Sequence, residues 1–210
     1  MFVPILNSQQ LRKPPCRLCA GIIFVFVVAL VASPRVSAQE TVVTLDPAQT
    51  RIEYTLGATL HAVHGTFRLK SGVVHFDPAT GKAGGAIVVD ATSGNSGNDG
   101  RDSKMHREIL ESAKYPEIVF MPAQVKGVVN AQGASQVEVS GIFSLHGQDH
   151  DLTLPLAIQT AGSQVTARAH FTAPYQKWGL KNPSTFILRV KDTVEIDVEA
   201  TGNITTAPAK

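Results

Sequence analysis

Cysteine is the first thing this chain lacks. It has two in 210 residues, Cys16 and Cys19, and both fall within the first 38. The remainder has none, which excludes disulfides and thiolate metal sites there. Also missing is any basic run or aromatic-interleaved basic stretch beyond residue 38, so a nucleic-acid binder is not expected. There is no His-Glu-x-x-His, and Ser96 sits in Gly94-Asn95-Ser96-Gly97 rather than in a Gly-x-Ser-x-Gly elbow. Gly84-Gly85 has no phosphate-loop lysine after it. No strand-helix-strand rhythm appears, which removes the doubly wound nucleotide-binding folds, and no internal repeat is visible.

The first 38 residues read as an export signal. Arg12, Lys13 and Arg17 form a basic start, Ala20 to Ala32 is an unbroken apolar run, and Val36-Ser37-Ala38 is a small-residue cleavage site. The run is short for a membrane span and has the length of a signal core. A periplasmic or secreted protein beginning at Gln39 is therefore expected. The signal carries four of the 19 basic residues and no acidic ones, leaving 15 against 17, a net charge near −2. An exported chain without disulfides needs a self-sufficient core, and about 170 residues suffice for one domain. The expected domain runs over residues 39–203, with 204–210 as a loose tail.

The expected fold is all-β: short segments alternating at period two, at the spacing of a sandwich or barrel. Thr41 to Leu45 and Arg51 to Leu56 are separated by Asp46-Pro47. His64 to Leu69 and Val73 to Phe76 follow, with Ser71-Gly72 read as a tight hairpin turn. Gly85 to Asp90 comes next, then a flexible lead from Ser93 to Gly100. Glu117 to Met121, Gln124 to Val129, Gln136 to Leu145, Leu152 to Gln159, Gln164 to Phe171, Thr185 to Val190 and Thr193 to Thr201 complete the set.

One stretch differs. Between Arg101 and Phe120 the apolar residues Met105, Ile109, Leu110 and Ala113 recur at helical spacing. Asp102 or Ser103 is the expected cap, and Pro116 forbids continuation. A lone amphipathic helix in a β domain must cover something apolar, and the open end of a barrel is the natural place. A closed end and a covered end make a container. About eight strands enclose an interior that side chains fill or that holds one slim ligand.

Several motifs, in order, resemble the YceI-like family of exported lipid-binding proteins. They are Ile52-Glu53-Tyr54, Val63-His64-Gly65-Thr66-Phe67, Gly72-Val73-Val74-His75-Phe76-Asp77, Arg101-Asp102 leading to Tyr115-Pro116-Glu117-Ile118-Val119-Phe120, and Ser140-Gly141-Ile142-Phe143-Ser144-Leu145-His146-Gly147. Trp178-Gly179-Leu180 and Val194-Glu195-Ile196 fit the C-terminal end. Two places depart from the pattern: Leu56 to His61 stands where many members have His-Leu-Gly, and Lys177 precedes Trp178-Gly179 in place of an acidic residue. The resemblance implies a lipocalin-like antiparallel β-barrel of about eight or more strands with one amphipathic capping helix. It also implies non-catalytic binding, sequestration or transport of a polyisoprenoid, a quinone or a prenyl phosphate, in the barrel interior.

Candidate ligand contacts are Phe67, Phe76, Met105, Ile109, Phe120 and Phe143 for an apolar tail, since large and soft side chains line slim apolar pockets. Arg101 is the candidate for an anionic head, against the alternative that it ties the helix to the barrel rim. No cofactor, metal ligand or catalytic residue is assigned. The expected partner is an isoprenoid lipid, with transient membrane contact and a second copy of the chain left open. Two alternatives stand beside this reading. One is a small envelope metal-dependent protein or enzyme using His61, His64 and His106. The other is a ligand-free structural or stress barrel packed solid with side chains.

Overall fold

The computed structural model describes residues 39–185 and 189–208; the expected signal segment lies outside them. Nine strands and one short helix follow in order: β1 (Gln39–Leu45), β2 (Arg51–Ala58), β3 (Val63–Phe76), β4 (Ala83–Asn95), α1 (Asp99–Lys104), β5 (Glu117–Lys126), β6 (Gly133–Leu145), β7 (Gln148–Ala161), β8 (Gln164–Ala173) and β9 (Val190–Pro208). All neighbours are antiparallel. β2 through β9 pair in sequence order, and β9 returns to β2 to close the ring. β1 also lies between β3 and β9, pairing with their far ends while β2 pairs with their near ends. β1 and β2 thus act as one long strand interrupted at residues 46–50. Nine segments fill eight positions, the closed eight-stranded barrel that the alternation implies.

Inward-facing residues alternate along each strand, as Ile52 and Tyr54 do on β2 and Val137 and Val139 on β6, all buried. β3 and β5 change phase midway. On β3, Phe67 and Leu69 face inward, and so do Val74 and Phe76, with a register shift between Leu69 and Ser71. A β-bulge adds one residue and moves the inward set from odd to even positions. Ser71-Gly72 is therefore a bulge within one 14-residue strand, not the expected hairpin turn. β5 repeats the device. Ile118, Phe120 and Pro122 face inward, then Val125, with the shift between Pro122 and Gln124. Two expected strands are again one. Across from this bulge, a Cβ on Gly141 would lie 2.2 Å from the Met121 carbonyl oxygen, so only glycine fits.

The ends of the domain also differ from expectation. β9 continues to Pro208, with Ile204 opposite Val43 and Pro208 opposite Gln39, so residues 204–208 are strand rather than loose tail. Of the strand expected over 185–190, only Val190 belongs to one; Thr185 and Arg189 are irregular, and 186–188 lie outside the described residues.

The helix starts earlier than expected. Asn98, in extended conformation, caps it by accepting from the Arg101 amide at 2.9 Å. Asp102 and Ser103 are inside the helix. The last turn, Met105–Ile109, is π-helical: the Leu110 amide donates to the Met105 carbonyl at 2.8 Å. Five-residue bonding widens the turn and returns Leu110 to the face shared by Met105 and Ile109. The helix ends at Glu111, which has positive φ, and Ala113 is exposed in the turn that follows.

Candidate functional site

The barrel has two unlike ends. At one, the floor, β1 begins, β9 finishes, and loops join β3 to β4 and β5 to β6. At the other, the mouth, lie the helix and the long β8–β9 connection. Tyr175 and Leu180 of that connection are buried and pack with Leu145 of β6, Ile109 and Leu110. His150 holds it in place, its ring stacked on Trp178 at 4.6 Å. Helix and connection together cover the opening.

Beneath them the interior is not filled. An upper cavity of about 380 Å³ lies under the helix, and a lower one of about 280 Å³ runs to the floor. Phe67, Ile118, Phe143 and Ile196 line both. These four form a belt between two chambers of one lumen. The lower chamber is apolar apart from Thr41 and Thr160. In the upper chamber, Arg101 and Lys104 are the charged groups among the lining residues, with the hydroxyls of Tyr54, Tyr175 and Thr185. Volumes of this order suit an apolar ligand of modest cross-section.

All seven sequence-derived candidates line this lumen. Arg101, Met105 and Ile109 reach the upper chamber, Phe76 and Phe120 the lower, and Phe67 and Phe143 the belt. Period-two and helical spacing place them there for simple geometric reasons. Sequence reasoning missed Tyr54, Lys104, Tyr175 and Leu180. Tyr54 alternates with Ile52 and Leu56, so its inward position was readable. Leu180 lies in an irregular loop and gives no periodic signal.

Close approach inside the lumen depends on missing side chains. A Cβ on Gly65 would stand 2.5 Å from the Tyr54 ring, and one on Gly94 would stand 2.7 Å from both Met105 and Phe67. These two glycines let the Tyr54 ring and the helix settle against the wall. The Tyr54 hydroxyl donates to the Met105 sulfur at 3.6 Å. Burial raises its pKa, and the charge of Asp102 adds to this. Burial likewise pushes Tyr175 up to about 12, with Asp192 contributing, and its hydroxyl donates to the Lys191 carbonyl at 2.6 Å. Both phenols are neutral donors at physiological pH.

The rim carries a closed polar network. Asp102 accepts from the Ser96 amide at 3.0 Å and from the Ser96 hydroxyl. Arg101 donates to the Ser96 hydroxyl through Nε at 2.7 Å and to the Ser96 carbonyl through Nη2 at 2.9 Å. Arg101 therefore ties the helix to the end of β4 through Ser96 and borders the upper chamber as well. Burial alone would raise the Asp102 carboxyl, but the Ser96 bonds and the Arg101 charge outweigh it, and its pKa lies below the ordinary value.

The histidines do not gather into a metal centre. His106 is bonded at both ring nitrogens, to the Ser112 hydroxyl at 3.0 Å and the Gly94 carbonyl at 2.9 Å. His64 is exposed and meets Thr55 across the outer barrel wall. His61 is exposed in the β2–β3 connection. Among the described residues no three His, Cys, Asp or Glu side chains are grouped to hold a metal.

Comparison with known proteins places this architecture. A YceI-like domain model matches residues 43–202. The chain belongs to the YceI-like family. No curated protein matches it in sequence. Solved structures of the same fold include BcnA of Burkholderia cenocepacia, 16% identical with a TM-score of 0.62, over 75% of this chain and 98% of that one. A polyisoprenoid binding domain from Saccharophagus degradans, implicated in plant cell wall breakdown, is 18% identical with a TM-score of 0.56, covering 80% and 99%. The YceI protein of Campylobacter jejuni is 19% identical with a TM-score of 0.57, covering 69% and 86%. In this YceI-like chain the family fold is a closed antiparallel barrel, and its lumen is the candidate site.

Proposed function

We propose that this YceI-like protein is a non-catalytic binder of a long apolar lipid, a polyisoprenoid, which it sequesters or carries in an exported compartment. The carrying observation is the two-chambered apolar lumen, which side chains leave unfilled under a cover of helix and loop. A barrel packed solid would have no such space, and a histidine-based metal enzyme would need a ligand group that is not found among the described residues. The polyisoprenoid binding domain from Saccharophagus degradans supports the ligand class. Each Å² of apolar ligand surface removed from water contributes roughly 25 cal/mol, so affinity grows with the length of tail enclosed.

The test is native mass spectrometry of the protein from its own host envelope, followed by organic extraction of the bound material. The expected result is a chain beginning at Gln39 with one isoprenoid lipid at fixed stoichiometry. A clean apo mass that stays unchanged after incubation with quinones, prenols and prenyl phosphates overturns the proposal. A mass that retains residues 1–38 overturns export with signal removal.

A further inference from the structure

Resting on that reading, we infer that the β8–β9 side of the mouth docks on the anionic surface of a lipid bilayer, with Leu60 entering the apolar layer. Cargo would then pass across a contact rather than through water.

The charge distribution carries this. Beyond residue 38 the chain has 15 basic residues and 17 acidic ones. Residues 174–191, the β8–β9 connection with the start of β9, hold Lys177, Lys181, Arg189 and Lys191 and no acidic residue. That leaves 11 basic against 17 acidic over the rest. A protein of net negative charge thus carries one positive edge, and the edge lies at its opening. The helix side of the mouth is balanced, with four residues of each sign over 99–114. All four cations of the edge are exposed. Among the described residues none of them has a carboxylate partner, whereas Arg51, Arg68, Lys70 and Arg168 on the barrel wall each have one. Unpaired cations gathered on one edge attract an anionic surface and orient the molecule on it.

Geometry joins an apolar anchor to this edge. Leu60, in the β2–β3 connection, is 77% exposed. A single exposed leucine is ordinary on a protein surface, but this one has a fixed place. Its neighbour Thr59 donates twice to the Arg189 carbonyl, from its amide at 2.9 Å and its hydroxyl at 3.1 Å, and accepts from the Arg189 amide at 3.2 Å. Leu60 is therefore held next to the cations, at the entrance. The edge itself is firm: Trp178 stacks on His150, and the Tyr175 hydroxyl holds the Lys191 carbonyl. The same stretch turns Tyr175, Leu180 and Val190 toward the upper chamber. A docked edge thus sets the chamber wall against the bilayer. Interfacial binding grows with the apolar area inserted and with the charge attracted, and this edge offers both.

The experiment is flotation of the protein purified from its host envelope. The vesicles are phosphatidylcholine alone, or phosphatidylcholine and phosphatidylglycerol in equal parts, at low and high salt. Binding is expected on the anionic vesicles alone and should fall as salt rises. A Lys or Arg near an anionic surface changes partitioning by roughly fivefold. Lys177→Gln with Lys181→Gln should therefore weaken binding by roughly 25-fold, and Leu60→Ser by roughly tenfold. Lys82→Gln with Lys126→Gln, at the floor, should leave it unchanged. All these side chains are exposed, so each variant is expected to melt with the parent. No binding to anionic vesicles, equal binding to both kinds, or equal loss in floor and mouth variants overturns docking by this edge. Capture by polyglutamate but by neither vesicle overturns the membrane assignment in favour of an acidic polypeptide. Native mass spectrometry of the same samples separates the two readings. Docking by a protein that neither holds nor takes up an isoprenoid overturns the cargo reading, and a bound isoprenoid without docking overturns this inference alone.

Discussion

Asp102 shows how a single residue serves the rim. Its carboxylate accepts both Ser96 donors, and Arg101 holds the same Ser96 from the other side. The folded-state pKa lies below the ordinary 3.8. A depressed carboxyl contributes stability above its unfolded value, and that contribution disappears as pH falls through the folded value. Asp102→Asn is therefore expected to be less stable than the parent at pH 6, by more than it is at an acidic pH below the ordinary carboxyl value. Urea unfolding at the two pH values measures this, and an equal difference at both would show that Asp102 does not act through its charge. The sequence placed Asp102 correctly near the helix start but gave it the wrong task. Asn98 is also a good capping residue, and only the phase at which the backbone turns helical separates the two.

At the level of elements, the helix is pinned by His106 rather than by its cap alone. The ring bridges Ser112 after the helix to the Gly94 carbonyl on β4, and Ser112 is only 4% exposed. His106→Ala would strand both partners, a loss of about 1–3 kcal/mol. Thermal unfolding should register it, and a double-mutant cycle with Ser112→Ala should show the two losses to be non-additive. The same scale explains what was legible. Period-two alternation located every strand, because an inward face must be apolar over the whole lumen. It failed where alternation changes phase. At Ser71-Gly72 and at Pro122 the break has the composition of a turn, and only the pairing partner distinguishes a bulge from a chain reversal. Strand pairing is a long-range property, and no local window contains it. For the same reason β9 was cut short: Asn203 to Pro208 has weak strand character alone and is ordered by β1 beside it.

For the whole molecule, the lumen links stability to ligand. Anything that binds the folded barrel alone stabilises it by RT ln(1 + [L]/Kd), about 2.7 kcal/mol at a hundredfold excess over Kd. For a domain of this size that raises the melting temperature by roughly 5–10 °C. A prenol or prenyl phosphate added to delipidated protein should produce the shift, and a water-soluble head fragment without a tail should produce much less. A flat response to every tail length would mean that the chambers do not admit a chain. The lumen residues were mostly readable because a barrel's inner face is an arithmetic consequence of strand periodicity. The cover was not, since Tyr175 and Leu180 reach the chamber from an irregular loop.

The floor is where β1 begins and β9 finishes, with Gln39 opposite Pro208 and the mouth at the other end of the barrel. A fusion partner, an affinity handle or a surface attachment at either terminus of the described barrel would therefore hold it by its base. The molecule would stand like an upright vial, its opening turned away from the support, and cargo exchange could be followed on an immobilised layer without occluding the entrance.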